Sequence, residues 1–134
     1  EGLDDVKSAN STLVGEVVGM LVAGGCKHLH LLSAQSADST SLFSFLKAKG
    51  EAEEAATLAG FQRVSVYRPG FLKGKRSSSL PNTLVTTLSI PTLELFAPLD
   101  ASMHVRTAAT AILATAFKPS APIYQVLENA EMLE

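Results

Sequence analysis

An α/β fold, with a parallel sheet covered by helices, is predicted by three observations. Apolar residues recur at helical spacing from Leu3 to Ala23. Two short runs that favour strands, "KHLHLLS" and "RVSVYRP", follow with a second helical segment between them. Glycines mark the turns between these segments. Helix, strand, helix and strand joined by short glycine turns are typical of a parallel sheet with helical crossovers.

Each element of the first half has its own start or stop signal. Gly24-Gly25 stops the first helix, as glycine does in a left-handed C-terminal cap. Ala59-Gly60 ends the second helix, and Pro69-Gly70 must end the second strand. The predicted elements are a helix over Leu3–Ala23, a strand over Lys27–Ser33, a helix over Leu42–Leu58 and a strand over Arg63–Pro69.

The second half changes character after Leu72. We predict a basic loop, "KGKRSSSLPN", and a helix, "TLVTTLSIPTLELF", broken near Pro91. The alanine-rich segment "SMHVRTAATAILATAF" is an amphipathic helix by its spacing. A late strand over Ile123–Leu127 with a polar helical tail closes the chain.

The composition is that of one globular domain. The 134 residues are 46% hydrophobic and 18% charged, which argues against disorder. A net charge of −2 gives no general attraction to nucleic acid or to an anionic membrane. The single cysteine, Cys26, excludes an intramolecular disulfide and suits a reducing compartment. No apolar run is long enough to span a bilayer and no signal peptide is visible, so we predict a cytoplasmic location.

Several kinds of site find no support in the sequence. "VAGGCKH" lacks the G-x-G-x-x-G spacing and follows a helix rather than a strand, so it fails as a phosphate loop. His28 and His30 alternate on one strand face, but no third ligand stands near them, so we predict ordinary strand residues and no metal site. Cys26 is predicted to be a small buried hydrophobe.

One constellation is more specific. Ser33 ends the first predicted strand, at the sheet edge where α/β folds bind ligands. Lys49 lies about one and a half turns into the next helix, with Phe45 one turn earlier on the same face. Pro69-Gly70 ends the next strand at the same edge, and Asn10 lies early in the first helix.

This pattern resembles the C-terminal half of atypical short-chain dehydrogenases/reductases, and in particular the Tat-interacting oxidoreductase family. "GGCKHLHLLSAQSADSTSLFSFLKAKGEAE" is similar to that family's strand, loop and Y-x-x-x-K-G-E helix, "FQRVSVYRPGFL" to its next strand and R-P-G turn, and "LENAEM" to its closing segment. The resemblance implies one partial NAD(P)-binding Rossmann-like domain over residues 1–134. Residues 1–72 would form its cofactor-side half, and 73–134 its substrate-side and C-terminal elements.

The resemblance also implies residue roles. In such enzymes a tyrosine gives a proton to the substrate carbonyl while NADPH delivers hydride, and a lysine four residues later holds the nicotinamide ribose. Lys49 would then be the ribose lysine, and Ser33 the serine that polarises the carbonyl. Pro69, Gly70 and Phe71 would contact the nicotinamide, and Asn10 would support the site.

The sequence departs from the family pattern at this site. The tyrosine position is Phe45, which has no hydroxyl to donate a proton, and the second serine of the strand end is Ala34. Tyr67 is the nearest phenol, but it belongs to a predicted strand. The resemblance also implies a glycine-rich half ahead of this segment, so NADP binding is expected to be weak or absent in this chain alone.

These departures predict a catalytically impaired relative that acts by regulation or by protein binding. The alternative is an active NADPH-dependent reductase of a small carbonyl substrate, completed by missing sequence or by another chain. A homodimer or a protein partner would cover the exposed sheet edge. The resemblance further implies a partner in nuclear import or transcription, and a location in the cytoplasm or nucleus.

From the residues alone, plainer roles stay open for two of these side chains. Ser33 could simply cap the strand end, and Lys49 could pair with Glu53 at i+4 on the helix.

Overall fold

The computed structural model describes residues 12–73, 102–118 and 122–133, and within them three helices and five strands. In chain order these are α1 (Leu13–Ala23), β1 (His28–Leu32), α2 (Ser44–Leu58), β2 (Arg63–Arg68), β3 (Phe71–Lys73), β4 (Ser102–His104), α3 (Val105–Ala116) and β5 (Tyr124–Glu128). Asn10, the predicted loop beyond Lys73 and the predicted helix over 83–96 lie outside the described residues.

The main sheet has the strand order β1-β2-β5, and all of its strands are parallel. β1 pairs with β2 from His28↔Arg63 to Leu32↔Tyr67, and α2 is the crossover between them. β2 pairs in turn with β5 from Val64↔Tyr124 to Arg68↔Glu128. The predicted fold class is therefore confirmed as a partial Rossmann-like sheet with helical crossovers.

One face of this sheet is covered by α1 and α2. Because side chains alternate along a strand, every second residue of each strand faces these helices. The shared core consists of buried apolar side chains from both helices, both neighbouring strands and the turn before β2, namely Val18, Ala56, Phe61, Leu29, Val64 and Val66. The sequence predicted this face through the helical spacing of α1 and the β-branched run of β2.

The opposite face is covered by the C-terminal part of the chain. A second cluster joins Tyr67 of β2 to Met103 of β4, Ala108 of α3 and Met132. Tyr67 is fully buried in it. The two faces of β2 thus belong to different cores, and β2 is the central strand of the sheet.

The predicted ends of the first two helices at glycine residues are confirmed. Gly25 follows α1 with a φ of 78°, and Gly60 follows α2 with a φ of 89°, both in the left-handed region that glycine tolerates best. At the end of α1 the amides of Gly25 and Cys26 donate to the carbonyls of Val22 and Leu21. These bonds close the helix and turn the chain into β1.

The second half differs from the prediction at the start of α3. "SMH" was predicted as helix, but Ser102–His104 is a strand that pairs in parallel with β3, which was not predicted either. The helix begins at Val105, because the His104 ring accepts a hydrogen bond from the amide of Arg106 and caps it. Pairing with β3, which is distant in sequence, determines the conformation of this segment. Helical periodicity cannot detect such a partner.

Two further predictions are wrong. Residues 129–133 form turns instead of a helical tail, and the amide of Met132 donates to the carbonyl of Glu128. Cys26 is exposed rather than buried, because it lies in the loop between Gly25 and β1. None of the helices in the described ranges is long and apolar enough to cross a bilayer.

Candidate functional site at the carboxyl ends of the strands

Ser33 follows β1 directly and is buried. Its amide donates to the carbonyl of Tyr67 at 2.7 Å, which continues the pairing of β1 with β2 by one residue. Its hydroxyl donates to the carboxylate of Glu53 on α2. The Ser33 hydroxyl therefore has a protein acceptor and ties the end of β1 to the helix.

Glu53 is a buried carboxylate that receives three hydrogen bonds. Besides Ser33, the Arg68 guanidinium donates from Nε to Oε1 at 3.0 Å and from Nη2 to Oε2 at 2.7 Å. Such a two-pronged contact is the strongest geometry available to arginine and a carboxylate. Arg68 also donates to Glu128 at 3.0 Å, and its hydrogen bonds to Glu53 raise its pKa. The network joins α2 to the ends of β1, β2 and β5.

Lys49 lies one turn before Glu53 on α2 and is half-buried. Its ammonium nitrogen is 5.9 Å from the centroid of the Phe45 ring, a cation–π distance. Burial lowers the pKa of Lys49, and the negative charge of Glu53 acts in the opposite direction. The structure thus places the lysine beside a ring in the predicted pairing, and that ring carries no hydroxyl.

A close approach between a loop and α2 fixes this part of the helix. A Cβ atom built on Gly50 would lie 2.1 Å from the Ser39 nitrogen and 2.3 Å from the Asp38 carbonyl carbon. The amide of Asp38 also donates to the carbonyl of Leu46 at 3.2 Å. The loop that follows β1 therefore packs directly on the turn of α2 that carries Lys49.

Pro69 and Gly70 close the same edge of the sheet. The carbonyl of Pro69 accepts from the amide of Gln35 at 3.0 Å, and the amide of Gly70 donates to the side chain of Asn129 at 2.7 Å. Asn129 follows β5 and is buried. Phe71, the next predicted cofactor contact, starts β3 and is half exposed. The ends of all three main strands are thus connected.

Sequence reasoning missed three residues of this site. Glu53 was considered only as a surface partner of Lys49, and Arg68 and Asn129 appeared within the segments that carry the resemblance without a role of their own. The signals were those of position: a charged residue at the end of β2, a polar residue directly after β5, and an acidic residue one turn after Lys49. A carboxylate on a helix is normally solvated, so its burial could not be read from sequence.

A second polar network lies on the opposite sheet face. Gln125 donates to the Ser65 hydroxyl at 2.8 Å, and the same hydroxyl oxygen is 3.0 Å from His28 Nε2, within hydrogen-bond distance. His30 Nδ1 is 2.8 Å from the Tyr67 hydroxyl. Burial lowers the pKa of both histidines and raises that of Tyr67. Tyr67 faces the α3 core, on the other side of the sheet from α2 and Lys49.

The described residues contain no group of three His, Cys, Asp or Glu side chains placed to hold a metal. They do line an open cleft of about 490 Å³ beside α2. Its walls include Asp38, Glu53, Glu54, Arg68 and Tyr124. The cleft borders the Glu53–Arg68 pair, whereas Ser33, Lys49 and Pro69 are not among its lining residues.

The parallel sheet, its crossover helix and the polar strand ends define a partial Rossmann-like α/β protein, and similarity to known proteins places it more narrowly. The chain is 35% identical to Protein HTATIP2 of Rattus norvegicus over 111 residues, 83% of this chain and 46% of that protein. It is 40% identical to Protein fmp52, mitochondrial, of Emericella nidulans over 57 residues, 42% of this chain and 24% of that protein. With Protein FMP52, mitochondrial, of Meyerozyma guilliermondii, the identity is 35% over 99 residues, 71% of this chain and 42% of that protein.

The chain belongs to the family of atypical short-chain dehydrogenase/reductase-like (SDR-like) proteins that includes HTATIP2. It spans less than half of the length of each of these three relatives. No family model matches the chain.

Proposed function

We propose that this chain is an SDR-like relative of NADP-dependent oxidoreductases that has lost the proton-transfer step and acts by binding. One observation carries the proposal: Phe45 occupies the turn before Lys49, while the Ser33 hydroxyl is donated to the buried Glu53. Neither side chain then offers a free hydroxyl to a substrate carbonyl.

The loss of these groups is large enough to impair a reductase. A positioned general acid contributes about 10²–10⁴-fold to a rate, which corresponds to roughly 3–5 kcal/mol of transition-state stabilisation. Phe45 cannot supply this contribution at any pH. Tyr67 does not replace it, because its phenol contacts His30 on the opposite face of the sheet.

The residues that remain fit one side of a dinucleotide. The half-buried Lys49 ammonium would meet the ribose hydroxyls, and Pro69, Gly70 and the exposed ring of Phe71 would lie along the nicotinamide. The pyrophosphate of a dinucleotide normally binds at a glycine-rich loop that leads into a helix N-terminus, and the sequence contains no G-x-G-x-x-G spacing. We therefore propose weak NADP binding, or none, by this chain alone.

A protein partner is the second part of the proposal. β1 is one of the two end strands of the described sheet, and a strand at an end offers unpaired backbone groups. Large apolar side chains are exposed just ahead of α2, with Leu42 at 99% and Phe43 at 74%. A second copy or another protein would cover such surfaces, in the cytoplasm or nucleus. Size-exclusion chromatography with light scattering tests the homodimer.

NADPH binding to the 134-residue chain is the first test, measured by calorimetry. If the site retains its cofactor function, Lys49→Ala abolishes binding, because the ribose loses its ammonium partner. The matched control is Lys47→Ala, two residues away and exposed, which should leave the affinity unchanged.

Carbonyl-dependent oxidation of NADPH separates the two candidate functions. The proposal expects no turnover with small aldehydes and ketones even where NADPH binds. Turnover that Lys49→Ala abolishes would instead establish the alternative, an active reductase with another proton donor.

A further inference from the structure

Glu53 is the carboxylate on which the candidate site converges. Its side chain is buried, and it accepts from Ser33 and twice from Arg68. A buried carboxylate persists only when its oxygens are well bonded and its charge is compensated. Among the described residues it therefore connects three strand ends with α2.

Glu53 also stands four residues after Lys49, and residues four apart lie on neighbouring positions of a helix surface. Burial favours the neutral form of the lysine, and the negative charge of Glu53 opposes that effect. A neutral amine would lose its attraction to the Phe45 ring and most of its value as a partner for an anionic ligand.

We propose that Glu53 is a positioning residue of this site: its carboxylate fixes the Ser33 hydroxyl and, from the next turn of α2, favours the charged form of Lys49. The proposal deepens the proposed function and rests on its assignment of Ser33 and Lys49. Arg68 has a different role, because it balances the Glu53 charge through two hydrogen bonds.

The test measures how labelling of the Lys49 amine by acetic anhydride depends on pH, with mass spectrometry of the Lys49 peptide. Only the neutral amine reacts, so the labelling midpoint reports its charge state without any nucleotide. We expect Glu53→Gln to move the Lys49 midpoint to lower pH. Glu53→Asp retains the charge and should restore the midpoint towards that of the native chain.

Glu54→Gln is the matched control, since Glu54 is the next residue, is exposed and contacts Ser39. It should leave the Lys49 midpoint unchanged, and labelling of the exposed Lys47 gives an internal reference. Glu53→Met is a second neutral variant in case Glu53→Gln does not fold, because its side chain needs no hydrogen-bond partner.

An unchanged midpoint in a folded neutral variant would overturn the proposal. If neither neutral variant folds, Glu53 acts on stability alone, and the proposal is overturned as well. Failure of the proposed function is seen separately, as carbonyl-dependent oxidation of NADPH by the native chain, because the labelling measurement contains no nucleotide.

Discussion

At the scale of single residues, the candidate site is defined by which hydroxyls are available and which are already bonded. Ser33 stands where the family resemblance places a carbonyl-polarising serine, yet its hydroxyl is donated to Glu53. Phe45 keeps the ring of the family tyrosine and lacks the oxygen. Lys49 keeps its position beside that ring. In the proposed assignment, the positions of the family's catalytic pattern are retained, while the atoms that would transfer the proton are missing or engaged.

Removing Arg68 should destabilise the fold markedly. Arg68→Met leaves the Glu53 carboxylate buried without its main counter-charge, and breaking a fully buried pair costs about 3–5 kcal/mol. Arg68 is a quarter exposed, so we expect about 2–3 kcal/mol after allowing for solvent screening. Urea unfolding measures the change.

Glu128→Gln is the comparison for that prediction. This variant removes the outer carboxylate contacted by Arg68. The Glu128 side chain is 46% exposed. Exposed pairs contribute roughly 0–1 kcal/mol. Equal losses of unfolding free energy in Arg68→Met and Glu128→Gln would contradict the inner position assigned to Glu53.

At the scale of elements, the contact between the loop after β1 and α2 determines where Lys49 lies. Glycine is required at residue 50 because the loop backbone occupies the place of its Cβ atom. The "KG" of the family-like Y-x-x-x-K-G-E pattern therefore has a structural reason in this chain: the glycine admits the loop, and the loop covers the helix turn.

Gly50→Ala should destabilise the chain although alanine is the better helix former. Overpacking typically costs about 1–3 kcal/mol, and here the neighbouring atoms are backbone atoms that cannot rotate away. Gly19→Ala in α1 is the matched control, because a Cβ atom there meets nothing within 4 Å. In an open helix position this change should stabilise by about 0.5–1 kcal/mol.

Thermal unfolding of the two variants should thus give shifts of opposite sign. A stabilising effect of alanine at both positions would show that the loop does not rest on Gly50 in solution.

At the scale of the whole molecule, the central strand β2 connects two cores and two polar networks. Its odd-numbered side chains from Arg63 to Tyr67 face the histidines and α3, whereas Val64 and Val66 face α1 and α2. The histidine network holds β1 to β2 on one face, and the Glu53–Arg68 network holds the strand ends to α2 on the other.

Folding stability should decrease as the pH falls below about 6.5, the ordinary histidine value. Burial lowers the pKa of His28 and His30 in the folded state, and His30 and Arg63 lower that of His28 further. The unfolded chain therefore binds protons first, so this stability is fully present above the unfolded pKa and is lost as the pH approaches the lowered folded values.

Urea midpoints at about pH 7.5 and about pH 5.5 measure this effect. The double variant His28→Gln/His30→Gln should show a smaller loss between the two pH values, because it has no imidazole at either position. An equal loss in the native chain and the variant would assign the pH dependence to other groups.

The sequence by itself determined the order of the main elements, the parallel sheet and the family. Helical spacing, β-branched strands and glycine stops are local signals, and a crossover of one helix between two strands leaves little choice of topology. The motif from Ser33 to Gly70 could be recognised for the same reason, since its residues are identified by type and spacing.

Only the tertiary structure decided which of these side chains are available. The bond from Ser33 to Glu53, the strand formed by Ser102–His104 and the exposure of Cys26 all depend on neighbours distant in sequence or on the local path of the chain. Burial and pairing arise when elements pack, and no local pattern encodes the partner. For this reason the sequence could name Ser33 and Lys49 as candidates, while only the fold showed that the serine is bonded to the buried carboxylate of Glu53.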